Sequence, residues 1–185
     1  DAGARHIRVT LRRGGIDELI VSDDGNGMSA DDLAVAIRRH ATSKLPDGRL
    51  DDIRFLGFRG EALPSIGAVS QLRITSVQDG DPHAWQIEVN AGTVQPVQPH
   101  ALATGTQVTV RQLFKAVPAR LKFLKTERTE QGRCVDIMRR LAMAWPQVAF
   151  FLSGDGRKLL DLAACGDGDA GRAQRLADVM GRTFA

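Results

Sequence analysis

The stretch ELIVSDDGNGM (18–28) constrains the fold more than any other part of the chain. Leu19, Ile20 and Val21 follow one another without a polar break, as expected of a strand buried on both faces. That strand runs directly into Asp23 and Asp24, and glycines then alternate at Gly25 and Gly27. A carboxylate at the end of a buried strand can accept a hydrogen bond from an exocyclic amine such as that of adenine. Glycines beside it let the backbone approach a flat ring closely. The same residues would also serve a plain strand-to-helix turn, because Asp-Gly and Asn-Gly are common turn formers.

The surroundings supply the other elements. In HIRVTLRR, Ile7, Val9 and Leu11 alternate with polar residues at strand period, and Gly14-Gly15 ends the run. Ser29 is placed to cap a helix, with Asp32 completing a capping box and Leu33, Ala36 and Ile37 on one face. Residues 41–55, with Pro46 and Gly48, read as a long loop. A short helix is predicted over 61–69, with strands at 71–77, 84–89, weakly at 93–97, and at 106–113. A basic helical stretch begins near Pro118, and a longer helix over 126–144 places Val135, Met138, Leu141 and Ala142 on one face. A hairpin over 147–153 and 157–162 and a last helix over 170–180 complete the chain. Strands and helices are intermixed without strict alternation, which predicts an α+β fold.

Three further segments carry candidate chemistry. Thr42, Ser43 and Lys44 offer two hydroxyls and a compact cation suited to phosphate. In LGFRGEAL (56–63) two glycines precede a helix whose free N–H groups would form an anion site, with Arg59 adding charge. This is neither a Walker A loop nor a dinucleotide fingerprint. Thr106, in TGT (104–106), could bring a hydroxyl to a base. Taken singly, each segment is also an ordinary polar or glycine-rich connector.

Together and in this order, DAGA (1–4), DDGNGM (23–28), RHATSK (39–44), LGFRGEAL (56–63), GT (105–106) and PARLKFLKTE (118–127) resemble the ATP-binding motifs of the GHKL superfamily, and within it those of the MutL family. The resemblance implies a Bergerat-type ATPase sandwich, a mixed β-sheet with helices packed on one face. It implies that Asp23 binds adenine, that Gly25 and Gly27 lie against the base, and that Thr106 contacts it through water. Thr42, Ser43 and Lys44 would close on the phosphates. Gly57, Phe58, Arg59, Gly60 and Glu61 would line the triphosphate.

The resemblance also implies ATP hydrolysis by the parent protein, with ATP binding ordering the lid and dimerising N-terminal domains. That dimer would couple mismatch recognition to DNA repair, working with non-specific DNA and with a MutS-type mismatch sensor, in a bacterial cytoplasm and nucleoid-associated when on DNA. The chain opens on Asp1, so the family's general-base Glu and magnesium-ligand Asn are expected upstream of it. No catalytic residue and no metal ligand is then assigned within 1–185, Mg2+ would be held from outside, and the chain alone is expected to be inactive. Residues 1–175 are assigned to the ATPase domain without its first helix, and 176–185 to the start of a second subdomain. In FKAVPAR (114–120), Lys115 and Val117 depart from the family pattern. The alternatives are a nucleotide-dependent dimerisation module that does not hydrolyse ATP, and a histidine-kinase ATP domain.

Composition adds exclusions. Across 185 residues the hydrophobic fraction is 43% and the charged fraction 25%, ordinary for a globular chain and unlike a disordered one. No apolar run approaches a membrane span, so no membrane partner is expected. Cys134 and Cys165 are too few for a disulfide framework, and His6, His40, His83 and His100 lack metal-ligand spacing. Trp85 and Trp145 are read as packing residues. The net charge is only +3, but nine basic residues face three acidic ones between Arg111 and Arg140. Arg120, Lys122 and Lys125 are the candidate DNA contacts there, against the alternative of a solvated helix face.

Overall fold

The computed structural model describes residues 2–39, 41 and 60–181. The alternating opening forms β1 (His6–Arg12), which turns through a 3-10 segment (Arg13–Gly15) into β2 (Glu18–Asp23). Helix α1 (Ala30–Ala36) follows, started by Ser29 as expected: its hydroxyl accepts the Asp32 N–H, and the Asp32 carboxylate accepts the Ser29 N–H. The elements after Gly60 are α2 (Ala62–Gly67), β3 (Gln71–Ser76), β4 (Ala84–Asn90), β5 (Thr93–Val94), β6 (Gln98–His100) and β7 (Thr106–Arg111). The last are α3 (Pro118–Leu121), α4 (Glu127–Ala144), β8 (Ala149–Gly154), β9 (Arg157–Leu162) and α5 (Gly168–Met180).

The strands form one mixed sheet in the order β5-β4-β3-β7-β2-β1-β8-β9, with β6 also paired to β4. Among the described residues only β1 and β8 run parallel; the other pairs are antiparallel. Register places Val9, Val21, Val108, Ile74 and Ile87 in one row across the sheet, and Leu11, Leu19, Val110, Leu72 and Val89 in the next. These rows feed two cores. One gathers Val9, Leu11, Phe150, Leu152 and Leu162 with Met138 and Ala142 of α4; the other gathers Leu72, Ile74, Ile87, Val89 and Val110 with Leu33 of α1. Leu33 is fully buried, and sealing a leucine from water stabilises by roughly 1.5–3 kcal/mol.

The opposite face is polar and corrects one expectation. Ile20 lies on it, in register with Thr10 and Thr109, while Leu19 and Val21 point toward the helices. All three are half-buried, so β2 is not covered equally on both sides. What shields this face among the described residues is a mat of long polar side chains, including the Arg73–Glu88 pair at 2.6 Å and the Arg111–Glu18 pair. Arg8 lies over the Phe151 ring, 4.5 Å from its centroid.

Several boundaries shift. The helix predicted over 61–69 is confined to Ala62–Gly67, with Pro64 in its first turn, where its missing N–H costs nothing. The weak strand near 93–97 resolves into two short edge strands, and the basic stretch after Pro118 makes one helical turn. Trp85 is half-buried on β4, and Trp145 is 40% exposed. Helix α5 runs unbroken from Gly168 to Met180. Arg175 is itself fully buried, and one of its terminal nitrogens donates to the carbonyls of Pro146, Val148 and Ala163 at 2.9, 2.8 and 2.7 Å.

Candidate functional site

The apolar rows of the sheet stop at one end, where register aligns Asp23 of β2 with Thr106 of β7, and Thr106 with Ser76 of β3. Three polar side chains thus occupy the position that valine, leucine and isoleucine hold in the rows below. The Ser76 and Thr106 hydroxyls lie 2.7 Å apart. Ser76 Oγ also donates to the Gly105 carbonyl at 3.1 Å and accepts the Met28 N–H at 2.9 Å. Ser76 is fully buried and had no place among the residues singled out from sequence. The signal was its phase: in QLRITS, Leu72, Ile74 and Ser76 share one face, so the last inward position of an apolar strand is a hydroxyl.

Asp23 is half-buried, and its Oδ1 accepts the Gly25 N–H at 2.9 Å. Burial raises its pKa above the ordinary aspartate value, and the nearby Asp24 charge adds to this. Hydrogen bonds from the Gly25 and Thr106 backbones act the other way. Its neighbour is the opposite case. Asp24 accepts the Arg5 and His6 N–H groups at 2.7 and 2.8 Å, and its other oxygen meets His6 Nδ1 at 2.6 Å. Burial would raise the Asp24 pKa, but the His6 ring bond and the two backbone bonds outweigh it and lower the value to about 2.

The loop between β2 and α1 is held by backbone contacts only glycine permits. Gly27 has φ of 68°, and a Cβ there would stand 1.8 Å from the Val77 carbonyl oxygen. At Gly105, with φ of 70°, a Cβ would stand 2.0 Å from the Asp23 carbonyl oxygen. These two loops therefore dock on each other and on the end of β3. Beside Gly25 the nearest atoms are those of Ala2, whose carbonyl accepts the Asn26 N–H at 2.9 Å. The loop also walls a polar hollow of about 210 Å3 with Gln78, Asp79 and Gly105.

Among the phosphate candidates, Thr42, Ser43, Lys44, Gly57, Phe58 and Arg59 lie outside the described residues. Gly60 has φ of 57°, and a Cβ on it would stand 2.3 Å from the Ala41 carbonyl oxygen, so the chain leaves at Ala41 and returns at Gly60 in contact. Glu61 stands directly before α2. The structure therefore brings Asp23, Gly25, Gly27 and Thr106 together, and adds Ser76 to them. No group of three His, Cys, Asp or Glu suited to a metal ion occurs among the described residues.

The basic candidates lie elsewhere, Arg120 on α3 and Lys122 and Lys125 in the link from α3 to α4. Arg120, Lys122 and Lys125 are exposed, and among the described residues none of their charged side-chain ends forms an ion pair, although the Lys125 backbone N–H donates to Glu130 at 2.9 Å. Arg111, Arg133 and Arg139 of the same run are paired with Glu18, Glu130 and Asp136. Phe123, between the three candidates, is 81% exposed.

Residues 1–112 match the family described as histidine kinase-, DNA gyrase B-, and HSP90-like ATPase. The chain is 54% identical over 184 residues to the DNA mismatch repair protein MutL of Bradyrhizobium diazoefficiens, and 54% identical over 185 residues to that of Paramagnetospirillum magneticum. All of this chain is covered in both cases, but it spans only 30% of each relative's length. The solved Aquifex aeolicus MutL ATPase domain complexed with ADP is similar with a TM-score of 0.78 and 27% identity, covering 97% of this chain and 62% of that one. No helix among the described residues is long and apolar enough to cross a membrane. Sequence match and fold agree, and the chain belongs to the histidine kinase-, DNA gyrase B- and HSP90-like ATPase family, as an ATPase domain of its MutL branch.

Proposed function

We propose that this chain forms the ATP site of a bacterial mismatch repair ATPase. The observation that carries the reading is the polar row Asp23–Thr106–Ser76 set into an otherwise apolar sheet face, in a chain similar to a MutL domain solved with ADP. Asp23 binds the adenine amine through its half-buried carboxylate, with Thr106 beside it and the Gly25–Gly27 turn under the base. Thr42, Ser43, Lys44, Gly57, Phe58, Arg59, Gly60 and Glu61 surround the triphosphate. Mg2+, when bound, neutralises charge developing on the phosphates.

The chain by itself binds nucleotide without turning it over. Asp23 is committed to the base, Asp24 to the Arg5–His6 backbone and Asp32 to the cap of α1, which leaves none of them to orient water. In the longer protein, ATP binding orders the lid and pairs two N-terminal domains. That dimer works in the cytoplasm with DNA and with a MutS-type sensor. The exposed cations Arg120, Lys122 and Lys125 track the phosphate backbone.

The test is a calorimetric titration of ATP into the chain and its Asp23→Ala variant. Removing a charged hydrogen bond from a partly dry pocket costs roughly 1.5–3 kcal/mol, about tenfold to a hundredfold in affinity. Wild-type affinity in a folded Asp23→Ala protein would sink the assignment.

A further inference from the structure

The segment between β7 and α4 is anchored at both ends and bare in between. It leaves β7 through Gln112 and Phe114, whose φ angles of 53° and 62° lie in the left-handed region that side chains disfavour. Such backbone persists only where its surroundings hold it. Here the Gln112 N–H donates to the Asp17 carbonyl at 3.1 Å, and the Phe114 N–H donates to the Val69 carbonyl at 2.8 Å. At the far end α4 rests on Gly14, where a Cβ would stand 2.3 Å from the Glu127 carbonyl oxygen. Between the anchors, tight turns follow one another: the N–H groups of Val117, Arg120 and Phe123 donate to the carbonyls of Phe114, Val117 and Arg120 at 2.9, 2.8 and 3.0 Å. The side chains on these turns are unmet. From Lys115 to Thr126 the sequence has four cations, Lys115, Arg120, Lys122 and Lys125, and no carboxylate. None of their charged ends forms an ion pair among the described residues. Arg120 and Phe123 are three residues apart across one hydrogen-bonded turn, a spacing that sets neighbours on one side. The Phe123 ring is 81% exposed.

We propose that Phe123 is a base-stacking residue: its ring takes the face of an unpaired base, while Arg120, Lys122 and Lys125 hold the phosphates on either side of that nucleotide. This rests on reading the segment as a DNA track, and adds to it a contact that charge alone does not supply. A ring held in water among unpaired cations calls for a partner that is flat, apolar and negatively charged within a few ångströms. An unpaired nucleotide is all three. A duplex offers the phosphates, but neighbouring base pairs already cover the faces of its bases. An acidic peptide offers the charge without the flat face. A lipid surface needs a broad apolar footing, and here only Leu121, 41% exposed, accompanies the ring. The anchored backbone keeps the ring presented before any strand arrives, so little ordering entropy remains to be lost on binding.

The experiment measures, by fluorescence anisotropy over a range of salt, binding of the chain to labelled oligothymidylate, to an abasic strand of equal length and to a duplex of equal length, with melting curves for every variant. The wild type should bind oligothymidylate more tightly than the abasic strand, which carries the same phosphates without bases. Phe123→Ala should lower the oligothymidylate affinity on the order of tenfold and leave the other two unchanged. Its salt slope should stay that of the wild type, because stacking releases no counterions. Phe123→Trp should keep the affinity, and Phe123→Leu, apolar but without a ring, should behave as the alanine variant does. A loss shared equally by the abasic strand and the duplex marks a structural role and overturns the proposal. Wild-type affinity in Phe123→Leu overturns it too, since an apolar contact then suffices, as does Phe123-dependent binding to phosphatidylserine vesicles with oligothymidylate unaffected. An unmoved affinity in Phe123→Ala removes the stacking role alone. If the wild type binds none of the three, or the triple alanine replacement of Arg120, Lys122 and Lys125 changes nothing, the DNA reading of the segment fails with it.

Discussion

Asp23 stands directly opposite Thr106 across the β2–β7 ladder, and its carboxylate accepts the Gly25 N–H at 2.9 Å. The side chain is thereby aimed along the helix-covered face of the sheet, yet only half withdrawn from water. Its burial disfavours the charge. A raised pKa means that the contribution of Asp23 favours the fold at low pH and is lost as pH rises through the folded value, above the ordinary 3.8. Asp23→Asn should therefore melt higher than the wild type at pH 7, and the gap should close at low pH. Solvent screening keeps the gain below about 1 kcal/mol, or roughly 2–4 °C. A variant that melts lower than the wild type at pH 7 would show that the charge is not strained by burial.

Asp24 should behave in the opposite sense. Its lowered pKa of about 2 contributes stability that is present above the ordinary aspartate range and is lost as pH falls toward that value. Asp24→Ala removes the acceptor for Arg5, the His6 N–H and the His6 ring, and should cost about 1–2 kcal/mol at pH 7. The difference from the wild type should shrink between about pH 5 and 2. A constant difference across that window in urea titrations would argue against the carboxylate's role.

Gly105→Ala should be far worse than its size suggests. The residue needs φ of 70°, and its added methyl would press on the Asp23 backbone at 2.0 Å, where no flexible side chain can give way. We expect a loss of more than about 2 kcal/mol together with weakened ATP binding, because the Asp23–Thr106 pairing is displaced. Gly80→Ala, at φ of 88° with nothing within 4 Å, is the control: backbone strain alone, about 1 kcal/mol, and intact binding. Equal losses at the two positions would show that crowding is not the cause.

The basic segment yields a salt experiment. Replacing Arg120, Lys122 and Lys125 with alanine should reduce the log–log salt slope of DNA binding by about one unit for each phosphate no longer neutralised, equally for unrelated sequences. Arg133 and Arg139, already engaged by Glu130 and Asp136, should contribute less. An unchanged slope after the triple replacement would leave those cations as a solvated surface.

Local chemistry was readable in the residues wherever it was settled within a few positions. Ser29 and Asp32 announce their helix, Ile7, Val9 and Leu11 their strand, and Met138 and Ala142 the buried stripe of α4. Asp23 was legible because its motif is contiguous. Ser76 was not, since its meaning lies in a hydroxyl thirty residues away in sequence. Ile20 misled for a related reason: an unbroken apolar run looks the same whether its second face meets a helix or a mat of arginines and glutamates. Arg175 was invisible, because a charged residue on α5 reads as surface until the three carbonyls around it are known.

The contact between Ala41 and Gly60 has a consequence for how this family can vary. Because the two residues touch, the distance between α1 and α2 is set at that junction and not by residues 42–59. Lengthening such a segment costs only about 0.6 kcal/mol per doubling. The segment between them is in effect a cassette: its length can change without moving α1 against α2, while the Asp23–Thr106–Ser76 end stays as the sheet has built it.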